Sequence, residues 1–139
     1  YLRFAPDLES AQQGVSQDRF PLQNQRDVVA AVGVLDATGV RVLRLDLRAP
    51  SGVLYQTMWR AFSTDADAPV TTAHPAADEQ LPVERVTAAA GLAQVYVGIP
   101  IAGTNLTRYV LSGTYTAKVF LGTDPTAVLS GAFTLEVPQ

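Results

Sequence analysis

Between Leu43 and Arg48 apolar and charged residues alternate one for one. Leu43, Leu45 and Leu47 fall on one parity, and Arg44, Asp46 and Arg48 on the other. A period of two is the signature of a strand with one buried face, and no helix can use it. The same alternation returns in Gly113–Gly122, where Tyr115, Ala117, Val119 and Leu121 oppose Thr114, Thr116, Lys118 and Phe120. No convincing period of 3.6 occurs anywhere in the chain. The expectation is therefore an all-β domain.

The remaining segments extend this reading. Asp27–Leu35 is β-branched and small, and Asp36–Gly39 after it is a turn signal. Pro50-Ser51-Gly52 turns the chain into Val53–Phe62, the expected hairpin partner of Arg41–Arg48. Ala93–Ala102 is apolar at nearly every position and reads as a strand buried on both faces, with Pro100 marking an edge or a bulge. Val128–Val137 closes the domain with Phe133, Leu135 and Val137 inward. Val83–Ala90 fits either a short strand or a single helical turn. Ser63–Pro82 carries three Pro, four acids and no Lys or Arg, and reads as a long outer loop. Residues 1–27 read as a linker or edge segment, with a weak strand around Gly14–Leu22. The sum is about seven strands, expected as two antiparallel sheets packed as a sandwich over residues 28–139.

Composition narrows the function classes. The 139 residues suit one domain. With 47% hydrophobic residues the chain has material for a core, which excludes wholesale disorder. The net charge of −3 lacks the basic stripe of a nucleic-acid binder. The absence of Cys excludes disulfides, Cys-based zinc sites and cysteine nucleophiles. No apolar run reaches the roughly 18–20 residues of a membrane span. No charged n-region precedes an apolar h-region, and the chain starts at Tyr1, so a mature, trimmed or excised form is expected.

The stretch Leu111-Ser112-Gly113-Thr114-Tyr115, continuing as Ala117-x-Val119, resembles the tyrosine corner of immunoglobulin-like sandwiches. There a Tyr near the start of the penultimate strand donates its hydroxyl to upstream backbone. Phe133-x-Leu135-x-Val137 is similar to the last strand of bacterial immunoglobulin-like or fibronectin-type domains. Two departures stand out. Ala117 occupies the position where many such domains carry a Cys, and Trp59 lies one strand later than the usual core Trp. The resemblance implies an immunoglobulin-like sandwich of about seven strands, with Leu111, Gly113 and Tyr115 forming the corner; a jelly roll or another β-sandwich is the alternative.

Four side-chain groups are candidates for chemistry. Tyr55 and Trp59 share a parity on one strand, with Thr57 between them and Leu54, Met58 and Phe62 on the other parity. Together with Tyr96 they are candidates for a platform stacking on sugar rings, against the plainer role of core or sheet-edge packing. Asp65, Asp67, Asp78 and Glu79 are candidate calcium ligands, against a solvated acidic loop. Arg44, Asp46 and Arg48 project to one side, as a carboxylate site or as a wet sheet face. His74, in the acidic loop, reads as an exposed loop histidine, against a metal ligand beside Asp65, Asp67, Asp78 or Glu79. Asn105-Leu106-Thr107 fits a glycosylation sequon. Arg outnumbers Lys nine to one, a composition resembling that of high-GC bacteria.

No pairing of titratable groups points to catalysis, so no enzyme activity is expected. The leading expectation is a non-catalytic interaction or spacer domain of an exported bacterial protein, periplasmic or extracellular. It would contact a protein partner, or a second copy of itself, through sheet edges or the 63–82 loop. The alternative is a carbohydrate- or small-ligand-binding module using Tyr55, Trp59 and Tyr96, with calcium as an accessory.

Overall fold

In a computed structural model the chain forms two β-sheets packed face to face. The structure describes residues 1–21, 27–35, 39–89, 91–100 and 112–136. The elements are β1 (Leu2–Ala5), α1 (Leu8–Gln12), β2 (Arg19–Pro21), β3 (Asp27–Leu35), β4 (Arg41–Arg48) and β5 (Leu54–Ser63), then β6 (Thr71–Ala73), β7 (Gln80–Arg85), β8 (Ala88–Ala89), β9 (Leu92–Pro100), β10 (Gly113–Leu121) and β11 (Leu129–Glu136). One sheet has the order β1-β3-β9-β8, the other β2-β11-β10-β4-β5-β7-β6. Neighbours are antiparallel except β2 beside β11 and β5 beside β7. An all-β, two-sheet arrangement was expected. Eleven strands are present among the described residues, against about seven foreseen.

The alternating strands put their apolar parity inward. Leu43, Leu45 and Leu47 of β4 meet Val28, Ala30 and Val32 of β3 and Val95, Val97 and Ile99 of β9 between the sheets. At one end the aromatic rings pack together. Phe4 lies 4.9 Å from Phe133, Phe20 meets Phe133 edge-on at 5.9 Å, and Tyr115 stacks on Phe133 at 5.7 Å and 8°. Each such side chain contributes about 1.5–3 kcal/mol on full burial.

Burial on both faces belongs to β3, not to β9. Every residue of β3 from Val28 to Val34 is buried. In β9 only Ala93, Val95, Val97 and Ile99 are. The cause is α1, whose Ala11 packs with Ala5, Val29 and Ala31 on the outer side of this sheet. Asp7 caps the helix, its Oδ1 accepting from the Ser10 N–H at 2.7 Å. Farther along β3, the Tyr1 ring lies over Gly33. Their main chains exchange two hydrogen bonds of 2.8 Å, and a Cβ at Gly33 would fall 2.3 Å from the Tyr1 ring.

Residues 1–21 therefore supply two edge strands, a helix and the core side chains Phe4 and Phe20. The segment Ser63–Pro82, expected as a loop, contains β6 and the start of β7, paired through Thr71↔Pro82, Thr72↔Leu81 and Ala73↔Gln80. Its Asp and Pro content has turn character, and the pairing exists because β5 offers its free side to β7 at Ala61↔Val83. Val83–Ala90, left open between strand and helix, carries the end of β7 and then β8. Leu111, Val137 and the sequon Asn105–Thr107 lie outside the described residues.

Candidate functional site

Strand register builds a row of side chains across the outer face of the larger sheet. Phe120 of β10 sits opposite Arg44 of β4, and Arg44 opposite Trp59 of β5. The Arg44 guanidinium carbon lies 4.0 Å from the Phe120 ring centre and 5.7 Å from that of Trp59. The far end is His74, whose ring centre is 4.7 Å from that of Trp59, tilted by 56°. One neighbouring row holds Asp46. Its Oδ1 accepts from the Thr57 hydroxyl at 3.0 Å and stands 3.4 Å from Arg44 Nε. That Nε makes no hydrogen bond, so its partner is the Asp46 charge at ion-pair distance.

His74 is not an exposed loop residue, as its side chain is only 7% exposed. Its Nδ1 accepts from the Ala76 N–H at 3.0 Å, which directs any Nε2 proton toward Glu79 Oε1, 3.9 Å away. Nor do Arg44 and Asp46 lie on a wet face, because their side chains are 27% and 17% exposed. Arg48 alone of the three is fully outward, donating to the Gly52 carbonyl at 3.0 Å.

Tyr55 and Trp59 do not share a face. The β4–β5 register runs without break from Arg41↔Phe62 to Leu47↔Gln56, then jumps to Arg48↔Leu54. Tyr55 is the extra residue of a β-bulge, and a bulge inverts the alternation on its far side. The Tyr55 ring turns toward the core and meets Tyr115 edge-on at 5.8 Å, while Leu54 is thrown outward and is 46% exposed. The Tyr55 hydroxyl and the Gln56 Oε1 are both buried without a hydrogen-bond partner. Burial, and secondarily Tyr115, holds the Tyr55 hydroxyl above the ordinary tyrosine pKa.

Tyr96 belongs to the other sheet, on its outer side with Tyr1. Burial and then Tyr1 raise its pKa. The three aromatic candidates thus occupy three separate places. Trp59, the anchor of any sugar platform, already has His74 and Arg44 against it.

The acids are also apart. Asp65 Oδ2 accepts from the Gly39 N–H at 2.8 Å. Asp67 is exposed in the following turn, and Asp78 and Glu79 lie beyond β6. Among the described residues no three His, Cys, Asp or Glu gather as a metal site. Of the corner residues, Tyr115 is fully buried. Gly113 has φ +131°, with Pro50 Cγ 2.9 Å from where a Cβ would stand.

Two features escaped the sequence reading. The first is a wing. β7 and β6 extend the larger sheet, and none of their residues is buried. Val70, which accepts from the Val83 N–H at 2.8 Å, is 82% exposed. The second is the outer side of β9. Only Ala88↔Ala93 and Ala89↔Leu92 pair there, followed by one bond of 3.1 Å from the Gln94 N–H to the Thr87 carbonyl. Beyond that point the chain before Thr87 departs to the other sheet. A cleft of about 420 Å³ opens between α1, residues 84–87 and Tyr96. The composition of Ser63–Pro82 marked the segment but not its strands, and the outer side of β9 has no composition signal, since both features arise from strand order.

Among the described residues no helix is long and apolar enough to cross a membrane. Neither the protein-family models nor the curated protein sequences contain a match to this chain.

Proposed function

We propose that this chain is a non-catalytic interaction domain of an exported bacterial protein, built as an immunoglobulin-like sandwich, and that it contacts a protein partner through the β6–β7 wing and its sheet edges. The strand order supports the fold reading. β1-β3-β9 packs against β11-β10-β4-β5, with a short β2 parallel to the last strand, and a buried Tyr near the start of β10 suits a tyrosine corner. The bacterial and extracytoplasmic parts rest on the resemblance and on the Arg-rich composition.

The observation that carries the functional reading is the wing. Holding a residue in one backbone conformation costs about 1–2 kcal/mol. β6 and β7 are ordered strands, yet no residue of either is buried. A structured, exposed hairpin is what a protein partner can dock on. Its segment Ser63–Pro82 carries four acids and no basic residue, so the surface it offers suits a basic partner. Several polar side chains singled out from sequence are meanwhile engaged in structural contacts. His74 lies on Trp59, Asp65 binds the Gly39 amide, and Asp46 pairs with Thr57 and Arg44.

The test is site-specific photo-crosslinking in the organism that makes the protein. A photoreactive residue at Val70 should give an adduct of defined mass, and one at Val128, 45% exposed before β11 and with three strands between β11 and β7, should not. Absence of any defined adduct from the wing and from every sheet edge would remove the interaction reading.

A further inference from the structure

We infer that the outer side of β9, from Tyr96 to Pro100, is a docking edge for an extended, uncharged peptide segment that adds a strand in line with β8. This inference rests on the interaction reading above and names one edge and the chemistry of its occupant.

Among the described residues, three of the four sheet-edge strands are blunted by brevity, with β2, β6 and β8 having three, three and two residues. The brevity of β8 has the opposite effect on its neighbour. β9 has nine residues, all paired on one side with β3, from Leu92↔Leu35 to Pro100↔Asp27. On the other side the last backbone bond among the described residues is that from Gln94 to Thr87. Backbone groups alternate in direction along a strand. The Gln94 N–H points to the outer side, so the N–H and C=O of Tyr96 and Gly98 point there too. Pro100 follows in the same series and has no N–H to offer, which ends the donor row.

Such a row is complementary to one kind of partner, another extended backbone. The surroundings define it further. The incoming strand would continue the β8–β9 pairing where the chain leaves for the other sheet, and would run antiparallel to β9. The cleft at this point is lined by Leu8, which is 49% exposed, and by Tyr96, a place for one apolar side chain. Glu84 and Arg85 stand on its rim with opposite charges, so neither sign is favoured in the occupant. Gly98 is exposed, and a Cβ built on it meets no atom within 4 Å, so nothing packs over this face of the sheet beside the docking edge.

The test uses amide hydrogen exchange by NMR on the whole chain, with acetyl-Thr-Val-Thr-Val-Thr-amide as the probe. In the free protein the Tyr96 and Gly98 amides should exchange about 100-fold faster than those of Val95 and Val97, whose ladder bonds go to β3. Millimolar peptide should slow Tyr96 and Gly98 by about tenfold and shift their signals. The same peptide N-methylated on both valines should do neither. Gly98→Pro removes an outward N–H that no ladder bond uses, so it should keep the fold and abolish the peptide effect. Slow exchange of Tyr96 and Gly98 in the free monomer would overturn the inference, because the edge would already be covered. Protection that rises with protein concentration would overturn it in favour of a second copy of the chain. Peptide shifts mapping elsewhere, or none, would also overturn it. If Val70 then still gave its crosslink, the peptide edge would fall alone and the interaction reading would stand.

Discussion

The Arg44 guanidinium carbon lies 4.0 Å from the centre of the Phe120 ring, on the outer face of a sheet where sequence alone suggests water. This contact explains why Phe120 is buried while Thr116 and Lys118 on the same face are exposed. A cation over an aromatic face is worth about 0.5–2 kcal/mol, more as water is excluded. Asp46 supplies the countercharge beside it.

Phe120→Leu keeps apolar cover and removes the ring quadrupole. It should lower stability to urea by about 1 kcal/mol. The sharper measure is the coupling between Phe120→Leu and Arg44→Met in a double-mutant cycle, expected at about 0.5–2 kcal/mol. A coupling of zero would reduce the pair to simple packing.

His74 shields the Trp59 indole, the chain's single tryptophan. His74→Ala should therefore raise acrylamide quenching of the Trp59 fluorescence and shift its emission to the red. Unchanged quenching would mean that the imidazole does not cover the ring in solution.

Tyr55→Phe deletes a buried hydroxyl that has no partner. Stability at neutral pH should stay level or rise by up to about 1 kcal/mol, since no hydrogen bond is lost. The effect of pH has a definite sign. Burial raises the folded-state pKa of Tyr55 above the ordinary value of 10.0. The unfolded chain then gives up this proton first, so the folded state loses ground as pH climbs past 10.0 and through the folded pKa. Alkaline titrations of urea stability should show a shallower decline in Tyr55→Phe than in the parent. Parallel curves would contradict the buried placement.

Gly33→Ala places a methyl group where the Tyr1 ring lies, 2.3 Å from its nearest carbon. Thermal or urea unfolding should register a loss of about 1–3 kcal/mol, the usual range for overpacking. Adding Tyr1→Ala should recover most of it, because the clash disappears with the ring. Failure of that rescue would place the cost in the strand backbone instead.

β4 and β10 were readable from their residues because a period of two is a property of a single strand, and core residues such as Leu45 and Val119 followed directly from it. β6 was not readable. Its three residues are too few to show a period of two, and they pair because β7 is already held against β5. The double burial of β3 needed a helix folded over it from the first residues of the chain. Trp59 could be placed on the outer face by parity, but its contacts with Arg44 and His74 come from three separate segments of chain. Tyr55 is the clearest divide. Parity assigned it to the face of Trp59, and the bulge opposite Leu47 and Arg48 turned it inward. Covalent alternation sets the sides of an unbroken strand. Register, bulges and layer contacts depend on which distant segment lies alongside, and that choice was made by packing energy summed over the whole sandwich.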